Sequence, residues 1–204
     1  ANNQNYTFDA VLYATGRKAN TANIGLEHTD IATNERGAIV VNDTCESSVP
    51  GVYAVGDVNG GPQFTYISLD DFRIVFGALT GNSQYTLKDR KNIPYTTFLT
   101  PPLSRVGLTE EDAINQGYTV KTKEMLVATM PRAHVNDYLK GAFKIVVDAD
   151  NDLILGATLY SQGAEELINL IKMAMDNNIP YTYFKNQIFT HPTMAENLND
   201  LCNF

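Results

Sequence analysis

With 204 residues, 44% of them apolar and 19% charged, the chain is long enough for one large or two small domains with real cores. Its net charge of −8 comes with scattered lysines and arginines, which argues against nucleic-acid binding, because phosphate neutralisation needs clustered cations. No apolar run approaches the roughly 18 residues of a membrane span, no signal peptide is visible, and the two cysteines, Cys45 and Cys202, form no redox or metal spacing; no membrane partner, no metal site and a cytoplasmic location are expected.

Ala1 to Gln4 are polar and are expected to fray. Phe8, Val11, Leu12 and Ala14 predict a short apolar strand closed by Thr15-Gly16-Arg17. Asn34 to Gly37 reads as a turn and Ala38 to Asn42 as a second short strand. Pro50-Gly51 is a turn signal, and Val52 to Val55 has the size of a strand buried on both faces, stopping at Gly56-Asp57. Gly60-Gly61-Pro62 breaks the chain. From Phe64 to Leu79, apolar residues at 64, 67, 72, 75, 76 and 79 fit one helical face, with Thr65 or a polar neighbour as cap. Gly81 to Asn92 is polar and reads as a linker.

A second unit is expected from Ile93. Tyr95 to Leu99 and Val106 to Leu108 are predicted strands interrupted by Pro101-Pro102. Thr109-Glu110-Glu111-Asp112 opens a helix with a capping-box pattern, ended by Gly117. Tyr118 to Met130 is a long, partly alternating strand, and Pro131 to His134 a loop. Ala142 to Val147 and Leu153 to Tyr160 form a hairpin across the turn from Asp148 to Asp152. Apolar residues at 164, 167, 168, 171, 174 and 175 mark an amphipathic helix over Ala164 to Asn177. An aromatic turn, Tyr181 to Phe184, and a last helix, Met194 to Leu201, complete the chain.

Two stretches carry chemistry. At Gly56-Asp57, glycine permits close approach of a ligand to backbone and aspartate is an acceptor suited to a polyol hydroxyl; a plain turn after a core strand is the competing reading. At His191-Pro192-Thr193-Met194-Ala195-Glu196, proline stops any helix from running through His191. Thr193 and Glu196 then suit a capping box, which alone would account for both. Histidine next to a carboxylate also suits proton transfer near neutral pH.

The run Thr44 through Val52-Tyr53-Ala54-Val55-Gly56-Asp57 resembles the second flavin-contacting motif of the FAD-dependent pyridine nucleotide-disulfide oxidoreductases. Asp9-x-x-Leu12-x-Ala14-x-Gly16-Arg17-x-x-Asn20 is similar to the family segment that leaves the NAD(P) domain and re-enters the FAD domain, and Ile93 to Leu201 resembles the family's dimer-forming interface domain, ending in His-Pro-Thr-x-x-Glu. The stretch from Gly60 to Asp71 is similar to the bacterial subgroup linked to reactive-chlorine resistance and hypothiocyanous acid reduction, with mercuric reductases as close relatives. The resemblance implies an α+β fold in two parts: a C-terminal segment of the α/β FAD domain over residues 1–91, and a dimerisation domain of antiparallel sheet with helices over 92–204. It implies FAD contacts at Gly56, Asp57, Gln63, Phe64 and Thr65, with Asp57 on the ribityl chain. It implies a cis His191-Pro192 bond and a His191–Glu196 acid–base pair that reaches the partner subunit's flavin and thiols across a homodimer.

The family's Gly-x-Gly-x-x-Gly, its NAD(P) fingerprint and its Cys-x-x-x-x-Cys pair are absent from these 204 residues. The expectation is therefore the C-terminal portion of an FAD- and NAD(P)H-dependent oxidoreductase acting on a small oxidised substrate: a disulfide, an oxidised thiol such as hypothiocyanite, or a metal ion. The isolated chain is expected to be inactive. The alternative is a stand-alone homodimerisation module without chemistry. Cys202 is a lone residue and cannot chelate as the C-terminal cysteine pair of mercuric reductases does; Cys45 reads as a small core or surface residue. Arg132, His134 and His28 receive no role.

Overall fold

The structure is a computed structural model and describes residues 5–204; the expected fraying of residues 1–4 lies outside them. The chain divides into two compact units, one running to Arg90 and one from Lys91 to Phe204.

The second unit holds five strands: β1 (Tyr95–Thr97), β2 (Leu103–Gly107), β3 (Val120–Leu126), β4 (Ala142–Asp148) and β5 (Ile154–Tyr160). They form one antiparallel sheet in the order β1-β2-β5-β4-β3. Register puts Val106 opposite Ala157 and Phe143 opposite Leu159. These side chains share one face, as alternation along a strand requires, and all four are buried. A strand-to-strand close approach explains Gly156, where a Cβ would lie 2.1 Å from the carbonyl oxygen of Leu108. At the hairpin tip, the Asp148 carboxylate accepts hydrogen bonds from the Asp150 N–H at 2.9 Å and from Asn151 Nδ2 at 2.7 Å, closing the turn that the sequence predicts.

The unit to Arg90 contains α1 (Thr65–Leu79), and α2 (Glu110–Asn115), α3 (Pro131–Val135), α4 (Ala164–Asp176), α5 (Tyr181–Asn186) and α6 (Asn197–Leu201) follow in the second. The α2 start has its full capping box: the Asp112 N–H donates to Thr109 Oγ1 at 3.0 Å, and the Thr109 N–H to the Asp112 carboxylate at 3.2 Å. The apolar stripe of α4, Leu167, Ile168, Ile171, Ala174 and Met175, packs with α5 and α6 into one core with the sheet. Second-unit expectations are corrected at three places before the last helix. Pro131 to His134 is helical, because proline fits the first helical position. Tyr181 to Phe184 belongs to a helix begun after Pro180 and fixed by burial of Tyr181 and Phe184. The long strand ends at Leu126 and turns into a 3-10 helix over Val127–Thr129.

In the unit to Arg90 the three predicted strands do not form. Phe8, Val11 and Leu12 are exposed in irregular backbone. Ala38 to Asn42 and Val52 to Val55 are each reduced to one isolated bridge, Thr33 with Ile39 and Glu46 with Tyr53. A strand needs a neighbour to satisfy its ladder, and the described residues of this unit supply no extended partner. Ala54 is buried but Val52 and Val55 are exposed, so the run is not enclosed on both faces. Helix α1 forms where its periodicity predicts, yet its buried stripe is Ile67, Asp71 and Ile74, while Phe72, Phe76 and Leu79 are exposed. Its N-cap is Phe64, without a side-chain cap; Thr65 is the first helical residue. The polar segment from Gly81 is more than a linker. It carries a 3-10 turn over Leu87–Asp89 with its own Thr86–Asp89 capping box, and Arg90 folds back onto α1.

Candidate active site

In the unit to Arg90, the Val52 to Val55 run ends in a 3-10 turn over Gly56–Asn59. Gly56 has φ +72°, and a Cβ there would lie 2.6 Å from Ser68 Oγ. Glycine is required on both counts. The turn leaves Asp57 exposed, and among the described residues its carboxylate has no hydrogen-bond or ion-pair partner. It faces a cavity of about 560 Å³ lined by Arg17, Lys18, Ala19, Asn34, Glu35, Arg36, Ala38, Gly60, Gly61 and Gln63. Gln63 therefore shares the cavity with Asp57; Phe64 and Thr65 are exposed at the start of α1 but do not line it.

Behind the turn sits a group that sequence reading overlooked. Asp71 is completely buried, and its Oδ2 accepts the Gly56 N–H at 2.7 Å and Asn59 Nδ2 at 2.9 Å. Its other oxygen pairs with Arg90 Nη2 at 2.5 Å, and Arg90 Nε bonds Asp70 at 2.7 Å. The signal was available: adjacent aspartates in the middle of an apolar helix are poor helix formers and need another reason to be there.

In the second unit, Thr193 and Glu196 exchange the two bonds of a capping box, each at 3.2 Å, immediately before α6. The helix itself begins at Asn197, three residues later than the sequence predicts. Both carboxylate oxygens of Glu196 lie 3.1 Å from His191 Nδ1. The His191-Pro192 bond is cis. Glu196 is mostly buried, with a side-chain exposure of 15%, whereas the imidazole is 73% exposed. The carboxylate thus sits on the protein side of the ring, and Nε2 is turned to the outside. An acceptor at Nδ1 favours the tautomer protonated there, which leaves Nε2 free to take or give a proton. The capping and proton-transfer readings coexist, since one carboxylate does both.

Neither cysteine is poised for chemistry. Cys45 and Cys202 are fully buried. Burial, with Asp71 adding to it, pushes the Cys45 thiol up to about 11, and burial pushes that of Cys202 up to about 12. His134 lies in α3 with Nε2 2.8 Å from the Ala128 carbonyl, a local tie between the turn and the helix. Among the described residues no helix is long and apolar enough to cross a membrane, and no three His, Cys, Asp or Glu side chains converge to hold a metal ion.

Residues 93–202 match the family model of the pyridine nucleotide-disulphide oxidoreductase dimerisation domain, and residues 1–71 match that of pyridine nucleotide-disulphide oxidoreductases. The chain is 49% identical over 193 residues to the probable pyridine nucleotide-disulfide oxidoreductase RclA of Escherichia coli K12, an alignment covering 95% of this chain and 44% of the relative. It is 35% identical to a mercuric reductase of Staphylococcus aureus over 93% of this chain and 35% of that protein. The structure of the HOCl-induced flavoprotein disulfide reductase RclA from Escherichia coli superposes with a TM-score of 0.90 at 48% identity, covering 93% of this chain and 43% of that one. The chain thus spans less than half the length of these relatives.

Proposed function

The chain belongs to the pyridine nucleotide-disulphide oxidoreductase family, and from that premise we propose that it is the C-terminal portion of an FAD- and NAD(P)H-dependent homodimeric oxidoreductase. Its substrate is a small oxidised species: a disulfide, an oxidised thiol such as hypothiocyanite, or a metal ion such as Cu(II) or Hg(II). A solved structure of the similar RclA is a Cu(II) complex, and mercuric reductases are among the relatives. The isolated chain, without a glycine-rich pyrophosphate turn, is inactive and holds flavin weakly.

The residues around the Gly56 turn fit FAD: an unpartnered carboxylate on a cavity, at a turn where a Cβ is excluded. Asp57 would accept hydrogen bonds from ribityl hydroxyls, and Gln63 would line the same cavity. Phe64 and Thr65 open α1, whose N-terminal dipole favours negative charge on a neighbouring group. FAD, when bound, supplies electron transfer from the nicotinamide to a thiol pair. The chain's own chemical contribution is a proton. Glu196 holds the Nδ1–H of His191 and so fixes the ring, while Nε2, once it carries a proton, gives it to a leaving thiolate of the partner subunit during dithiol–disulfide exchange.

The observation that carries this reading is the His191–Glu196 pair, with the ring exposed and the carboxylate shielded behind it. In the full-length protein, His191→Ala is expected to lower turnover by about 10²–10⁴-fold, the usual worth of a positioned proton donor, while flavin reduction by NAD(P)H stays near wild type. Unchanged turnover sinks the acid–base role. A second reading, a homodimerisation module without chemistry, is favoured by the complete core of the second unit. The two separate on the gene: an open reading frame that supplies the glycine-rich turn and the cysteine pair upstream supports the enzyme, and one that starts at residue 1 supports the module.

A further inference from the structure

We infer that Asp71, backed by Arg90, is a positioning residue that aims Asp57 into the cavity. This rests on the Asp57 reading above and adds a group that never touches the ligand. The 3-10 turn over Gly56–Asn59 is only four residues long. Such a turn closes few bonds of its own, so its shape depends on what holds its ends. A single carboxylate oxygen holds both: Asp71 Oδ2 accepts the N–H of Gly56 at the entry and Nδ2 of Asn59 at the exit. Asn59 carries the restraint further, with its Oδ1 accepting the Gly61 N–H at 3.0 Å and its Nδ2 near the Ala54 carbonyl at 3.3 Å. Asp57, between the two tied ends, has no partner of its own to set its direction.

Arg90 makes the arrangement tolerable. An aspartate with no exposed surface is costly unless it is paired and hydrogen-bonded. Three hydrogen-bond donors, one of them the Arg90 guanidinium with its charge, meet that need, and Arg90 Nε donates to Asp70. Hydrogen bonds to an ionised acceptor are about twice as strong as neutral ones, which suits a clamp on mobile backbone. The sequence makes the clamp from distant pieces: the turn at 56–59, the helix interior at 71 and the segment end at 90.

The test uses the full-length flavoprotein, stripped to apoprotein and titrated with FAD, with folding checked by circular dichroism. Asp57→Ala and Asp71→Ala are each expected to weaken FAD binding about ten-fold, the size of one hydrogen bond to a charged group. The double variant should bind no more than about two-fold more weakly than Asp57→Ala alone, because Asp71 acts through Asp57. Asn59→Ala, which removes one tie and spares the ion pair, should weaken binding about three-fold in a wild-type background and not at all with Asp57→Ala; it decides the matter if Asp71→Ala does not fold. A loss of thermal stability with unchanged FAD affinity, or losses that add fully to that of Asp57→Ala, would overturn the positioning role. If Asp57→Ala itself binds FAD as wild type does, the ribityl contact proposed above fails instead.

Discussion

The largest completely buried side chains of the second unit, Phe143, Met130, Ile145, Leu159 and Ile168, lie between a five-stranded sheet and its helices. The largest apolar side chains of the first unit are placed the other way. Phe72 and Phe76 lie against each other in a tilted pair with ring centres 5.8 Å apart on the outside of α1, with Leu69 and Leu79 exposed beside them. Each such residue is about half exposed and forgoes roughly 1–1.5 kcal/mol of burial. One unit closes its own core, and the other presents an apolar surface that a globular domain would ordinarily cover. Completeness of the core, more than length, separates them: 114 residues suffice on one side and 90 do not on the other.

Separating the units gives the largest expected contrast. Residues 91–204 produced alone should unfold in one cooperative transition, while residues 1–90 alone should show no sharp transition and should bind an apolar dye. A sharp calorimetric peak from the shorter piece would break the comparison. Truncation sharpens it at the level of single side chains. In this chain Phe143→Ala should cost about 3–5 kcal/mol in denaturant unfolding, against about 0.5 kcal/mol or less for Phe76→Ala. In a longer chain of the proposed kind, the cost of Phe76→Ala should rise to roughly 2 kcal/mol or more if the added residues cover that face; equal costs in both contexts would show that they do not.

The smallest effect is kinetic. With thiols raised to about 11 and about 12, Cys45 and Cys202 should both resist alkylation at pH 8. Cys45 should nonetheless label about ten-fold faster, through local opening of the less complete unit, read by mass spectrometry of the two peptides. Labelling at the same rate would mean that the two units open together.

What the sequence disclosed follows the same division. In the second unit the pattern and the fold agree because each element meets its partners within the unit. The α4 stripe, the hairpin and the Thr109 capping box are local or nearly local features, and all three form where the residues predict. In the first unit Phe8 to Ala14 and Val52 to Val55 are apolar runs of strand length without a neighbouring strand among the described residues, so they stay irregular. The site divides likewise. His191 and Glu196 are five residues apart; the proline and the capping box set Glu196 at a helix start, and the family resemblance, not the local pattern, paired it with His191. The Asp70-Asp71 doublet stood out in its helix, but its pairing with Arg90 was not legible, because a pair 19 residues apart across a polar segment leaves no local pattern.

Glu196 ties the reactivity of the ring to the integrity of a five-residue helix. Because Leu198 and Leu201 are buried in the same core as the sheet, that short helix and the carboxylate in front of it hold their place until the core itself melts. A proton step at His191 of the kind proposed would then survive heating up to the melting of the second unit, and a variant that loosens Leu198 or Leu201 would lower both limits together.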